Sequence, residues 1–388
     1  MCEIDYSDVK EIKELQQSKE TQPSAPAESK LDKRVQQFLS LVSDTKQMSK
    51  TMISLDIDTK KLPLGKLSQS QIDKGYAILT KIQTVLATKK TDQSTKDLLM
   101  DLSSEYYTII PYVCGRGARP PVIDTDERVN KYTETLDELS NITVAAKIVK
   151  EGEDASGNSL DKIYEQLNTT IKPVEKDSDI WKIIETYVKN THAPTHTNYT
   201  VELIDIYEVQ RNSERDTYTK NYGSLKNKQL LWHGTRLSNY ISILQKGLLL
   251  RPDVIPGTYI TGKMFGYGIY GANSFSKSFN YTGANRSDPN ACLFLAEFAL
   301  GNTSNRTQAD YYITKDSLCQ IGCDSTWGQG RLTPNGYQTL DDGVIVPNGK
   351  LSTSNVNNNA SLQYDEFIVY DQNQLNLRYI VNVRGIFK

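Results

Sequence analysis

The sequence predicts an α+β chain, with an all-α segment over residues 31–151 followed by a β-rich segment over 152–388. Three observations carry this. Apolar residues recur at a spacing of three and four through the first segment, the period of one helix face. After the polar stretch EGEDASGNS (151–159) they regroup into short, β-branched runs. Gly, Asn and Pro separate those runs, as turns require.

Residues 1–30 are charged and then Pro/Ser/Ala-rich (KETQPSAPAESK), the composition of a flexible linker. Leu31, Val35, Phe38 and Val42 form the first helical stripe. Pro63 and Gly65 break the chain in KLPLGKLS. Ser68 and Gln71 then have capping-box spacing before Ile72, Tyr76, Leu79, Ile82 and Leu86. A third helix is expected from about Asp97 to Ile110, stopped by Pro111, and RGARPP reads as a loop. A fourth, over Asp126–Lys150, has Val129, Tyr132, Leu136, Leu139 and Ile142 on one face. EGEDASGNS reads as a second linker. The expected strands are VELIDIYEV (201–209), QLLWH (229–233), ACLFLAEFAL (291–300), EFIVY (366–370) and LRYIVNVRGIF (377–387). ACLFLAEFAL is apolar on both alternating faces, the mark of a central strand. Ser238 is placed to cap a short helix through Leu244, closed by Gly247. NGKLSTSNVNNNAS (348–361) reads as a polar loop.

The chain has 388 residues, 38% of them hydrophobic and 24% charged, which allows a packed core and excludes global disorder. A net charge of −2 argues against nucleic-acid binding by bulk charge. No apolar run has the length of a membrane span, and MCEIDYSDVKEIKELQQ lacks the apolar region of a secretory signal. Five scattered cysteines suit reduced thiols in a cytosolic or nuclear protein. Only His192, His196 and His233 are available as imidazole ligands, and Cys319-x-x-x-Cys323 has no partner nearby, so no metal site is expected.

Three local features carry chemistry. GKMFGYGIYGANSFSKSFNY (262–281) interleaves Gly262, Gly266 and Gly268 with aromatics, offering close backbone approach and stacking faces. It is neither a dinucleotide fingerprint nor a P-loop. In LLWHGTR (230–236), His233 ends a strand beside Gly234. In YDEFIVYD (364–371), Glu366 opens an apolar strand. Singly, each is more often structural.

Together, in order and spacing, LLWHGTR, TGxMFGxGIYxAxxxSKSxNY and LxYxEFIVYD resemble the catalytic domain of poly(ADP-ribose) polymerases. KLPLGKLSQSQI, YYTIIP, TLDELSNITVA and ETYVKNTHAPTH resemble the helical regulatory domain and domain join of the DNA-responsive members. The likeness covers roughly residues 31–388. MCEIDY resembles the closing strand of a WGR domain, so residues 1–30 are expected to hold its remnant and a linker, 31–151 the regulatory domain and 152–388 the ADP-ribosyltransferase domain.

The resemblance implies transfer of ADP-ribose from NAD+, consumed as a substrate, to protein acceptors including the chain itself, with release of nicotinamide. It implies a nuclear location and control by DNA breaks through a sensor mostly absent here. His233 matches the histidine holding the nicotinamide-side ribose, Tyr270 the tyrosine flanking it, and Glu366 the catalytic glutamate. Gly234 and Ser278 match the residues that take the carboxamide, and Tyr281 the tyrosine that stacks on the ring. Glu134 and Asp137 match acidic regulatory positions. Departures from the pattern are Lys263 in place of tyrosine, Tyr267 in place of lysine, Asn141 in place of a third acid, a VRGIFK tail, and Leu249 in place of an arginine for which Arg251 stands as substitute. The alternatives are a mono-ADP-ribosyltransferase, disfavoured by Glu366, and an inactive NAD+-binding scaffold, disfavoured by the intact His233, Tyr270 and Glu366.

Overall fold

The computed structural model of the chain describes residues 28–114, 118, 120–250 and 263–388. Residues 1–27 of the expected linker and WGR remnant, and half of the RGARPP loop, lie outside the described residues.

Six helices come first: α1 (Lys33–Val42), α2 (Thr45–Ser54), α3 (Gln69–Ala87), α4 (Gln93–Ile109), α5 (Asp126–Asp154) and α6 (Ser159–Leu167). Val35, Phe38, Leu39 and Val42 bury the α1 stripe. The capping box at Ser68 and Gln71 forms as expected. Helix α4 starts earlier than its apolar pattern, because Asp92 caps it by accepting from the Thr95 amide at 2.8 Å. Helix α2, capped by Asp44, is an element the apolar pattern alone does not announce. The polar stretch 151–159 is not an extended linker. Its first four residues continue α5, and Asn158 caps α6, which folds back so that Ile163 packs on Gly152.

The rest is built on β1 (Thr169–Pro173), helix α7 (Asp179–Asn190), β2 (Tyr199–Arg211), α8 (Glu214–Tyr222), β3 (Lys228–Gly234), α9 (Tyr240–Lys246), β4 (Ile269–Gly271), α10 (Phe275–Phe279), β5 (Asn290–Ala299), β6 (Thr303–Arg306), α11 (Lys315–Gln320), β7 (Ser325–Gly328), β8 (Gly330–Asn335), β9 (Gln338–Thr339), β10 (Ile345–Val346), β11 (Lys350–Thr353), β12 (Leu362–Tyr364), β13 (Glu366–Val369) and β14 (Leu375–Phe387). The large sheet runs β1-β2-β14-β5-β3-β10-β9, and smaller ones run β4-β13-β7-β6 and β11-β8-β12. Part of the polar stretch 348–361 is therefore strand β11. Ser238 does not cap α9. It lies in a 3-10 turn over Leu237–Asn239, with its hydroxyl buried and unpartnered.

Strand β5 is central, as expected. Phe294, Ala296 and Phe298 face one core, and Leu293 and Leu295 face the other. That double burial is why every second residue cannot be polar. The first core is continuous from the helices into the sheet. Phe38 of α1 lies 5.1 Å from the Tyr207 ring of β2. Arg34 donates through Nε to Asp205 at 3.0 Å, through Nη2 to the same carboxylate, and to the Val174 carbonyl at 2.7 Å. The helical segment is thus packed directly onto the sheet.

Candidate active site

Backbone bonds between Trp232 and Ala272, at 2.8 and 2.9 Å, tie β3 of the large sheet to the chain just after β4 of the smaller one. His233 therefore meets Tyr270, and its Nδ1 lies 2.9 Å from the Tyr270 carbonyl oxygen. A carbonyl only accepts, so Nδ1 carries the hydrogen and Nε2 is left as an acceptor. Burial lowers the pKa of the imidazole, the Tyr270 carbonyl opposes this, and nearby Lys263 adds to the lowering. The neutral ring is the form present at neutral pH.

Strand β13 pairs antiparallel with β4, with Ile368 opposite Tyr270. Side chains alternate along a strand, so Glu366 shares the face of Tyr270. The Tyr270 hydroxyl donates to the Gly266 carbonyl at 2.8 Å and accepts from the Phe265 amide at 3.1 Å. This ties the ring to the glycine-rich loop, which turns at Gly266 with φ of 72°.

Glu366 Oε1 lies 2.9 Å from Lys277 Nζ. Lys277, on α10, also donates to the carbonyls of Tyr364 and Asp365 at 2.8 and 3.2 Å. Burial lowers the lysine pKa, and the Glu366 carboxylate opposes this. The adjacent Asp365 is fully engaged elsewhere. It accepts from the Gly330 amide at 2.7 Å, Asn273 at 2.8 Å and Thr333 at 2.6 Å, which fixes the start of β13. Helix α10 also presents Ser278. A Cβ on Gly234 would stand 1.7 Å from the Ser278 carbonyl oxygen, so the strand end must be glycine. The Ser278 hydroxyl donates to the Trp232 carbonyl at 3.3 Å. Tyr281 follows at the edge, 63% exposed.

These groups line one cleft of about 510 Å³, closed on one side by Glu134, Asp137, Glu138 and Asn141 of α5. Four residues at helical spacing share that face. Asp137 accepts from the Tyr76 hydroxyl of α3. Asn141 accepts from the Ser242 hydroxyl of α9 at 2.9 Å. Burial raises the pKa of Glu134, while Lys263 opposes the rise. Burial pushes the Glu138 carboxyl up to about 7 against the pull of Arg236 and Asn239.

His233, Gly234, Tyr270, Ser278, Tyr281 and Glu366, with Glu134 and Asp137, are thus gathered around one cleft. Arg251 lies outside the described residues. Sequence reading missed Lys277, Asp365 and Glu138. Lys277 stands one residue before Ser278 in a recognisable motif, yet nothing local signals its ion pair with distant Glu366. Glu138 reads as a solvated helix residue until a second unit covers it.

A helical unit thus lies over a cleft lined by a histidine, a tyrosine and a glutamate from three strands. Residues 178–385 match the model of the poly(ADP-ribose) polymerase catalytic domain, and residues 29–164 match that of the poly(ADP-ribose) polymerase regulatory domain. The chain belongs to the poly(ADP-ribose) polymerase family. It is similar to poly(ADP-ribose) polymerase 1 of Danio rerio, 39% identical over 98% of this chain and 36% of the relative. It is also similar to poly(ADP-ribose) polymerase 2 of Arabidopsis thaliana, 38% identical over 94% of this chain and 55% of the relative. With poly(ADP-ribose) polymerase 2 of Zea mays it shares 36% identity over 100% of this chain and 57% of the relative. The chain spans between about a third and somewhat more than half of the length of these relatives.

Proposed function

We propose that this chain transfers ADP-ribose from NAD+ to protein acceptors, itself included, extends the product into poly(ADP-ribose) and releases nicotinamide. The convergence of His233, Tyr270 and Glu366 on one cleft carries this reading. Breaking the N-glycosidic bond builds positive charge on the ribose. The Glu366 carboxylate, held by Lys277, offsets that charge and accepts the proton of the incoming hydroxyl. His233 offers Nε2 as an acceptor to a ribose hydroxyl. The carboxamide of nicotinamide takes the Gly234 backbone and the Ser278 hydroxyl, and its cationic ring lies between Tyr270 and Tyr281. The positive pyridinium is already a good leaving group. Arg251 is assigned to the adenosine side.

The domain division proposed is 1–30, 31–151 and 152–388. In this reading the helical segment inhibits by covering the donor cleft, a role supported by Glu134 and Asp137 on its wall. A DNA-break signal, received through a sensor preceding the segment, loosens it, and the site of action is the nucleus. Incubation with labelled NAD+ followed by gel separation tests the activity. A ladder is expected, whereas a discrete band marks a mono-transferase and an unlabelled protein marks a scaffold.

A further inference from the structure

We infer that Lys263 is the diphosphate-binding cation of the donor cleft, and that Glu134 of α5 holds this cation while the helix covers the cleft. The inference rests on the NAD+ reading above. Two lysines line the described cleft walls, Lys263 and Lys277. Lys277 is committed to Glu366 and to two carbonyls. Lys263 makes no direct salt bridge among the described residues. Its ammonium instead rests over two ring faces, 5.4 Å from the Tyr267 centroid and 5.5 Å from that of Tyr270. Ring faces position a cation without using its three N–H donors, which stay available to an anion.

Its neighbours define which anion. Lys263 acts electrostatically on Glu134 across the cleft and on His233 within it. It thus lines one cleft with Glu134 of the covering helix and with His233. NAD+ carries its negative charge at the diphosphate, the next group after the nicotinamide-side ribose. With nicotinamide at Gly234 and Ser278 and that ribose at His233, the diphosphate is the anionic part of NAD+ that Lys263, lining the same cleft, would meet. Leu249, on the same wall, brings no charge. Glu134 and the diphosphate therefore compete for one ammonium. A lysine suits this work as a point charge that can exchange partners.

The test uses the full 388-residue chain, with Glu134 intact and as Glu134→Gln, and two ligands, ADP-ribose and benzamide. Lys263→Gln should weaken ADP-ribose roughly tenfold to hundredfold, the value of one charge-assisted contact, and change benzamide far less. Lys263→Arg should restore most of the loss, and added salt should shrink the difference. Glu134→Gln should strengthen ADP-ribose severalfold, and by less when Lys263 is also replaced. Equal ADP-ribose affinity with and without Lys263 overturns the inference, as does loss of both ligands together, which gives Lys263 a structural role. Failure of ADP-ribose to bind with or without Glu134, while benzamide binds, overturns it too. Failure of benzamide to bind the unaltered chain refutes the donor-site reading itself.

Discussion

Lys277 Nζ and Glu366 Oε1 are 2.9 Å apart, with 13% and 14% of their side chains exposed. A cation and an anion shielded to this degree hold each other in place, because separating them would leave either charge desolvated and alone. The pair fixes the glutamate at the start of β13, on the same face as Tyr270.

Glu366→Gln should nearly abolish chain elongation while leaving NAD+ binding largely intact. The amide keeps the shape but neither accepts the acceptor's proton nor offsets the ribosyl cation. Loss of one such group costs on the order of 10²–10³ in rate. Polymer length on gels, alongside NAD+ affinity, checks this. Long polymer at near-normal rate would remove Glu366 from the mechanism.

Benzamide-like compounds should inhibit by copying the nicotinamide amide and ring. Tyr281→Ala should weaken them by ~1–3 kcal/mol, the worth of one stacked ring. Tyr281 is 63% exposed, so its loss should leave the fold unchanged. Calorimetric titration of one benzamide against both proteins decides it, and equal affinities would contradict the pocket.

Deleting residues 1–151 should raise basal NAD+ turnover and make it independent of DNA, by moving the population from covered to open clefts. The deletion also uncovers Ile243 and Leu244 of α9, which are buried in the core shared with the helices, so the fragment should be less soluble. Turnover of 152–388 and of the whole chain, with circular dichroism to confirm folding, measures the effect. A folded fragment no more active than its parent would refute autoinhibition.

Glu138 should make the covered state pH-dependent. Its carboxyl pKa is raised to about 7 by burial, and its Oε2 has no hydrogen-bond partner. Arg236 and Asn239 face it from the sheet unit, and Glu134 and Asp137 from its own helix. A raised carboxyl pKa means that folding favours the proton. The stability this contributes is whole below the unfolded value of 4.5 and is lost as pH rises to about 7. Glu138→Gln should therefore raise the melting temperature at pH 8, by the equivalent of up to about 3 kcal/mol, and change little at pH 5. Parallel melting curves for both proteins from pH 5 to 8 test it, and an equal gain at both ends would mean that the carboxyl does not titrate there.

Much of this was legible in one dimension. A helix face repeats every three or four residues, so α1, α3 and α5 announce themselves, as does the capping box at Ser68. A strand buried on both faces has no polar alternation, so β5 reads as central. The site motifs are local, so His233 and Glu366 stand out within theirs, whereas Tyr270 is marked only by the family resemblance. Local patterns also misled where solvation was assumed. The polar stretch 151–159 looks like a linker because helix α5 ends in charged residues, but a solvated helix end needs no apolar face.

What sequence order could not settle is everything that depends on two distant segments meeting. The bridge at Trp232 and Ala272 sets His233 against Tyr270, and the β4–β13 register turns Glu366 to the same side. The Lys277–Glu366 pair exists only once α10 lies against β13. Glu138 and Asp137 have the same chemistry and adjoin in sequence. Asp137 meets the Tyr76 hydroxyl, whereas Glu138 has an oxygen sealed against the sheet unit without a partner. The reason is physical. Periodicity and turn chemistry act between neighbours along the chain, whereas desolvation and ion pairing act through space, and their sign is undefined until the fold decides what covers each charge.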